Sequence, residues 1–149
     1  MGSPAAAPRD GSTPPLPTNY TPDSLRQRAD INDVSRAGSI PAGRTKLYAI
    51  VRADLSPGAK ACQAAHALRA YADHYPFIES AWWRRSNTLV MLEASEDQLM
   101  QLELRAHKRG VSCVRFVEPD WSPAGDLTAL VIGPEGRKLV SDLKLAFRA

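Results

Sequence analysis

Apolar and polar residues alternate in blocks along residues 46–149, and each block has the length of one strand or one helix. Four nearly continuous apolar runs predict strands that are covered on both faces: KLYAIVR (46–52), NTLVMLEA (87–94), VSCVRFVE (111–118) and DLTALVI (126–132). Segments with helical features lie between or after them: 59–73, 76–86 (a short helix or a turn), 95–109 and 133–140. The alternation predicts an α/β fold, a three-layer sandwich in which helices flank a four-stranded, mixed, partly parallel sheet.

The helix over 59–73 is crowded with alanine and has two distinct faces. One narrow arc is small and apolar, which predicts the side that packs on the sheet; it holds Ala61, Ala65, Leu68 and Ala72. Lys60, Gln63 and His66 lie three residues apart on an arc nearly opposite. Such an arc is ordinarily a solvated face, so the pattern alone leaves two interpretations open: a solvated surface or the wall of a site.

The position of this helix favours the site. The helix begins just after the first predicted strand, whose end carries Arg52 and Asp54. Polar groups at the carboxyl end of a strand and in the first turns of the next helix converge at the edge where α/β sheets bind ligands. The helix N-terminus adds partial positive charge at the same edge.

Residues 1–45 differ in composition from the rest of the chain. They are rich in proline, glycine, serine and threonine and hold few large apolar residues, so they cannot bury enough surface to offset their ordering entropy. We therefore expect a disordered N-terminal tail over 1–45 and one domain over 46–149. Within the tail, TPDSLRQRADINDV (21–34) predicts either a transient helix or a segment that docks a protein partner.

Charge and composition narrow the classes of function. The formal net charge is +3, and residues 46–149 hold 14 Lys and Arg against 12 Asp and Glu, which permits contact with phosphate groups without requiring it. Cys62 and Cys113 lie in apolar settings without CxxC spacing, which predicts small buried residues and a reducing, cytoplasmic setting. No run approaches the ~18 apolar residues of a membrane span. We expect no metal, no cofactor and no membrane partner.

Of two basic segments, one is a candidate for contact with nucleic acid and the other is typical of a helix end. WWRR (82–85) combines aromatic side chains that stack on bases with arginines that pair with phosphate. The alternative is that one tryptophan lies in the core, the other covers a loop, and the arginines are solvated. Arg105, Lys108 and Arg109 lie at the end of a helix, where cations more often complement the helix dipole.

Three consecutive motifs run from the end of the first strand into the first helix: VRADL (51–55), PGAK (57–60) and ACQAAHA (61–67). They resemble the type-two peptidyl-tRNA hydrolase family, in which Arg-x-Asp-Leu precedes a glycine–lysine loop and a helix that opens Ala-Ala-Gln-x-x-His-Ala. The resemblance continues over residues 46–145 and is that of a divergent, bacterial-type member.

The chain departs from the family pattern at two places. Lys60 lies three residues before Gln63 instead of four, in a shorter loop. The family signature Asp-Ala-Gly-Arg-Thr is replaced by EPDWSPAGDLTA (118–129), in which Glu118 or Asp120 stands in for the acid and Ser122 for the hydroxyl.

The resemblance implies hydrolysis of the ester between a peptide and the terminal ribose of tRNA, without metal or cofactor, by a homodimer. The residues implied are Lys60, His66 and Asp120 for catalysis and Arg52, Asp54 and Gln63 for substrate binding. Either His66 or Asp120 orients or activates water, and Lys60 stabilises the oxyanion or positions a phosphate. A second hypothesis is a non-catalytic tRNA- or protein-binding module on the same fold.

Overall fold

The computed structural model describes residues 45–119 and 125–148. In chain order the elements are strand β1 (Lys46–Arg52), helix α1 (Pro57–His74), helix α2 (Pro76–Arg85), strand β2 (Thr88–Ala94), helix α3 (Glu96–Lys108), strand β3 (Cys113–Glu118), strand β4 (Asp126–Ile132), a 3₁₀ helix (Pro134–Leu139) and strand β5 (Lys144–Leu145). The predicted tail lies outside the described residues, except for Thr45.

The strands form one mixed sheet in the order β3-β4-β1-β2-β5. Strands β1 and β2 are parallel, and β4 runs antiparallel to both β1 and β3. The predicted α/β class is therefore confirmed, but the predicted count of four strands is wrong. The fifth strand, β5, pairs only Leu145 with Leu92 and Lys144 with Glu93, which is too short for an alternating pattern to show in the sequence.

Alternate residues of β1 face opposite sides of the sheet, and a separate core lies on each side. Leu47, Ala49 and Val51 pack against α1 and α2. Tyr48 and Ile50 pack in the core that contains the apolar residues of α3. Because both faces of the sheet are covered by helices, the strands read as continuous apolar runs.

Helix α1 is rotated relative to the sequence prediction. Its buried residues are Lys60, Gln63, Ala64, Ala67 and Tyr71, whereas Ala61 and Ala65 are exposed. At 100° per residue the buried arc is centred roughly 110° from the predicted one. The predicted sheet-facing arc is wrong because apolarity alone took no account of the fully buried Tyr71 ring or of polar side chains whose partners lie on distant strands.

The Tyr71 ring also fixes the far end of α1. Its hydroxyl lies 2.8 Å from Ser112 Oγ, and Ser112 Oγ donates to Glu135 Oε1 at 2.9 Å. Burial raises the pKa of the Tyr71 hydroxyl well above its ordinary value, and the nearby Glu135 carboxylate adds to the shift. This buried network joins α1 to the 3₁₀ helix, at the edge of the sheet opposite the predicted site.

Helix ends follow their sequence signals. Ser56 Oγ accepts from Ala59 N at 3.3 Å with Pro57 in the first turn, and Ser95 forms the predicted capping box with Gln98. Gly110, with φ of 64°, lies just beyond the end of α3.

The two cysteines differ in burial. Cys113 is buried as predicted, and burial raises the pKa of its thiol. Cys62 is exposed, so the prediction that it is buried is wrong; the rotation of α1 turns it away from the sheet. In the part of the chain that the structure describes, no helix is long and apolar enough to cross a membrane.

The orientation of α1 can be tested with one pair of alanines. Ala67 is fully buried and Ala65 is exposed, so Ala67→Leu should overpack the contact with the sheet and lower the free energy of unfolding by about 1–3 kcal/mol. Ala65→Leu is the matched control and should leave thermal unfolding unchanged. A larger loss for Ala65→Leu would contradict the orientation described here.

Candidate active site

Polar side chains converge at one edge of the sheet. The carboxyl ends of β1, β2 and β3 lie there together with the start of β4, since Glu118 at the end of β3 pairs with Asp126. Helix α1 begins at the same edge, after the turn that follows β1. The sequence therefore predicted the location of a polar edge from the order of its elements.

Lys60 lies in the first turns of α1 and is buried against the sheet. Its Nζ is 2.6 Å from Glu93 Oε2 on β2, and both side chains are largely shielded from water. Strand β5 places Lys144 directly opposite Glu93. An ion pair of this kind holds the ammonium group at a fixed position. If the two groups moved apart, each charge would be left poorly solvated, because both side chains are largely shielded from water.

Gln63, one turn further along α1, is the centre of a buried hydrogen-bond chain. Thr128 Oγ1 donates to Gln63 Oε1 at 2.5 Å, and Gln63 Nε2 donates to Glu118 Oε2 at 2.7 Å. All three residues are buried. The two ends of the amide are different hydrogen-bonding groups, so the hydroxyl and the carboxylate together fix its orientation.

A β-bulge brings Thr128 into this chain. Phe116 pairs with Ala129 and Val117 pairs with Leu127, so Thr128 is the extra residue on β4. A bulge interrupts strict alternation and re-aims a side chain. Thr128 consequently lies against Gln63 while the next residue, Ala129, packs in the core on the α1 side.

Arg52 binds several carboxylates at the end of β1. Its guanidinium donates two hydrogen bonds to Asp54, at 2.6 and 3.0 Å, and lies 3.5 Å from both Glu96 and Asp126. The hydrogen bond to Asp54 raises the pKa of Arg52, and the same bond holds the pKa of Asp54 below its ordinary value. The Lys60 charge lowers the pKa of Asp54 further, by a smaller amount.

His66 is exposed, one turn beyond Gln63 on α1. Its ring stacks on Phe116 of β3, with centroids 4.8 Å apart and an interplanar angle of 18°. The ring therefore packs on β3 two residues before Glu118, which belongs to the buried hydrogen-bond chain. Asp120 and Ser122, the other candidates from the sequence, lie outside the described residues.

The structure brings Lys60, Gln63 and His66 onto one side of α1, and it places Arg52 and Asp54 at the same edge. Sequence analysis missed Glu93 and Thr128. The signal for Glu93 was a single acid inside the apolar run TLVMLEA, and a lone charge in a buried strand needs a partner. No comparable signal marked Thr128, because its orientation depends on the bulge.

Within residues 45–119 and 125–148, no three His, Cys, Asp or Glu side chains are grouped so that they could hold a metal ion.

The contribution of the Gln63 chain can be measured at Thr128. Thr128→Val keeps the shape but removes the donor to Gln63 Oε1, so the free energy of unfolding should fall by about 1–3 kcal/mol. Urea unfolding of Thr128→Ser, which keeps the hydroxyl, should show a smaller loss. The control is Thr88→Val at the exposed start of β2. Equal stabilities for Thr128→Val and Thr88→Val would contradict a stabilising role for this chain.

Comparison with known proteins agrees with the motifs and the fold. The sequence model of the family described as Peptidyl-tRNA hydrolase PTH2 matches residues 45–148. Among solved structures, a protein of unknown function from Agrobacterium tumefaciens strain C58 superposes with a TM-score of 0.51 at 16% identity, over 68% of this chain and 97% of that one. At that identity the likeness concerns the fold alone. No curated protein matches the chain. The match covers more than two thirds of the length of this chain, and the chain therefore belongs to the peptidyl-tRNA hydrolase PTH2 family.

Proposed function

We propose that this protein hydrolyses the ester bond of peptidyl-tRNA, releasing a peptide and free tRNA, at the edge formed by β1, β2, β3 and α1. Membership of the PTH2 family supports this reaction class. The observation that carries the proposal is the shielded Lys60–Glu93 ion pair, one turn from the buried amide of Gln63. Fixed polar groups at such an edge suit the stabilisation of charge that develops during ester cleavage.

Lys60 stabilises the oxyanion in this proposal. When water adds to the ester carbonyl, the carbonyl oxygen becomes negatively charged, and the ammonium group can donate to it. A lysine has three N–H donors, and one of them serves Glu93. Glu93 therefore acts as a positioning residue, which holds Nζ in place before the substrate arrives. The N-terminus of α1 adds partial positive charge at the same place.

Gln63 orients the attacking water or the terminal adenosine. Its amide nitrogen carries two N–H donors, one of which serves Glu118. Because Thr128 and Glu118 fix the amide, the second donor points in a set direction and needs no ordering when substrate binds. Arg52 and Asp54, at the end of β1, bind the terminal nucleotide in this proposal.

A base must take a proton from the water, and the ribose oxygen must gain one as it leaves. His66 and Asp120 are the two candidates for this proton transfer. The His66 ring is exposed and stacks on Phe116, and Asp120 follows the buried Glu118 by two residues in the sequence. Either residue satisfies the requirement of ester hydrolysis, which needs one oriented water and one general acid–base group.

The first test measures release of free tRNA from peptidyl-tRNA by the purified chain, with and without chelator. Lys60→Ala should lower turnover about 10²–10³-fold, as expected for the loss of an oxyanion donor, and His66→Ala about 10²–10⁴-fold. Lys108→Ala, which removes an exposed lysine on α3, is the control and should change nothing. Lys60→Arg keeps the charge but changes its shape and reach, so full rescue is not expected.

Thermal unfolding of each variant separates catalytic loss from misfolding. Full activity in both Lys60→Ala and His66→Ala would place the chemistry elsewhere. If the wild-type chain binds tRNA in a salt-dependent manner without hydrolysing the ester, the enzyme proposal fails and a non-catalytic binding module replaces it.

A second test separates Glu118, the last residue of β3, from Asp120, two residues further along the chain. Asp120→Asn should lower turnover about 10²–10⁴-fold without changing thermal unfolding, as expected for a general acid–base group. Glu118→Gln should instead lower the melting temperature, because Gln63 loses a charged acceptor in a buried position. A loss of turnover confined to Glu118→Gln, with an unchanged melting temperature, would assign the acid to Glu118.

A further inference from the structure

The WWRR segment lies on α2 and takes no part in the candidate active site. Trp82 is buried, and its Nε1 donates to Thr88 O at 2.9 Å. Trp83 lies next to it, with ring centroids 6.1 Å apart, but 62% of Trp83 is exposed. Arg84 and Arg85 are exposed as well. The first tryptophan therefore anchors the helix, while the second presents a large aromatic surface to solvent beside two cations.

This surface lies at the end of the sheet opposite the candidate site. Ser86, at the end of α2, donates its hydroxyl to Thr45 O, next to the start of β1. Lys46, the first residue of β1, is exposed and pairs with Thr88. We call Lys46, Trp83, Arg84 and Arg85 the basic–aromatic corner. The seven residues of β1 separate it from the candidate site, a distance of about 20 Å.

The described residues of the candidate site give it a net charge that disfavours binding of a polyanion there. Among the described residues placed at that edge, three are cations (Arg52, Lys60 and Lys144) and five are acids (Asp54, Glu93, Glu96, Glu118 and Asp126). Their sum is negative. Binding of nucleic acid depends chiefly on cations that contact phosphates, so an RNA substrate needs cationic groups outside this edge.

We propose that the basic–aromatic corner binds an unpaired RNA nucleotide and its neighbouring phosphates, as a second contact for the tRNA part of the substrate. The Trp83 indole offers a face on which any base can stack, and Arg84, Arg85 and Lys46 supply charge complementary to the flanking phosphates. Identification of the RNA as tRNA rests on the proposed function; the corner itself is inferred from its charge and its exposed ring.

Because Trp82 anchors the end of α2, this part of the helix loses little conformational entropy when RNA binds. The hydrogen bond to Thr88 O and the tilted packing of the two indoles hold the end of α2 in place before RNA binds. Asn87, with φ of 41°, ends the helix in a left-handed conformation directly after this point. An aromatic side chain on a fixed helix loses little freedom on stacking, so its contribution to affinity is retained.

The test measures affinity of the full chain for unacylated tRNA and for a single-stranded oligocytidine, by fluorescence anisotropy over a range of salt. Trp83→Ala should weaken binding about 5- to 150-fold, as expected for loss of one base stack. Trp83→Phe should recover part of the affinity, and Trp83→Leu should not, because leucine has no π-face. Arg84→Ala should lower the slope of log K against log salt by about 0.7–1.

Arg109→Ala is the matched control. It removes an exposed arginine at the end of α3, on the other side of the sheet, and should leave both affinity and salt slope unchanged. Equal effects of Arg84→Ala and Arg109→Ala would mean that net charge alone governs binding, and would overturn the proposal. Self-association that is lost in Trp83→Ala, with RNA affinity unchanged, would assign the corner to an interface between copies of the chain and overturn it too.

Kinetics distinguish failure of this inference from failure of the proposed function. In an active enzyme, Trp83→Ala should raise KM for peptidyl-tRNA and leave kcat unchanged, while cleavage of a short N-acyl-aminoacyl-adenosine should not change at all. If the chain shows no hydrolysis but Trp83→Ala still weakens tRNA binding, the proposed function fails and the corner stands. If hydrolysis proceeds and Trp83→Ala alters neither KM nor affinity, the corner fails and the proposed function stands.

Discussion

The buried amide of Gln63 is the constraint on which the rest of this edge depends. An amide in the interior must satisfy a carbonyl oxygen and an N–H group with different partners, and failure costs about 1–3 kcal/mol for each buried group. Thr128 and Glu118 meet that requirement from two different strands. These contacts join α1 to the bulge in β4 and to the last residue of β3, while Tyr71 fixes the far end of the helix. The ammonium of Lys60 then falls beside Glu93 because it lies on the same arc of α1.

The sequence predicted the order of the elements and the edge where they converge, because apolar runs and capping residues are local signals. The rotation of α1 could not be read in the same way. Its alanines are equally small on both sides, so the deciding contacts are those of Tyr71 and Gln63 with residues far along the chain. Thr128 was missed for a related reason, since a bulge cannot be recognised in a nearly continuous apolar run such as DLTALVI. Short pairing at β5 also left no periodicity to detect.

In the proposed reaction, the residues that perform the chemistry and the residues that bind the RNA lie on different surfaces of the protein. The edge that holds Lys60 and Gln63 carries more acids than cations, whereas the exposed end of α2 is basic. A site that holds carboxylates close to a lysine can position that lysine well, but the same carboxylates repel phosphates. Attraction of a polyanion from a distance therefore suits a surface that has no part in the chemistry.

The alanines that face solvent on α1 have a consequence for what the helix can hold on its buried side. Ala61 and Ala65 are exposed and lie nearly opposite the arc that carries Lys60, Gln63 and His66. Alanine has the highest helix propensity of all residues, so these positions stabilise α1 without forming tertiary contacts of their own. Helix formation in α1 therefore depends less on an apolar stripe packed against the sheet. Part of the sheet-facing arc can then be given to polar side chains such as Lys60 and Gln63 while the segment remains helical.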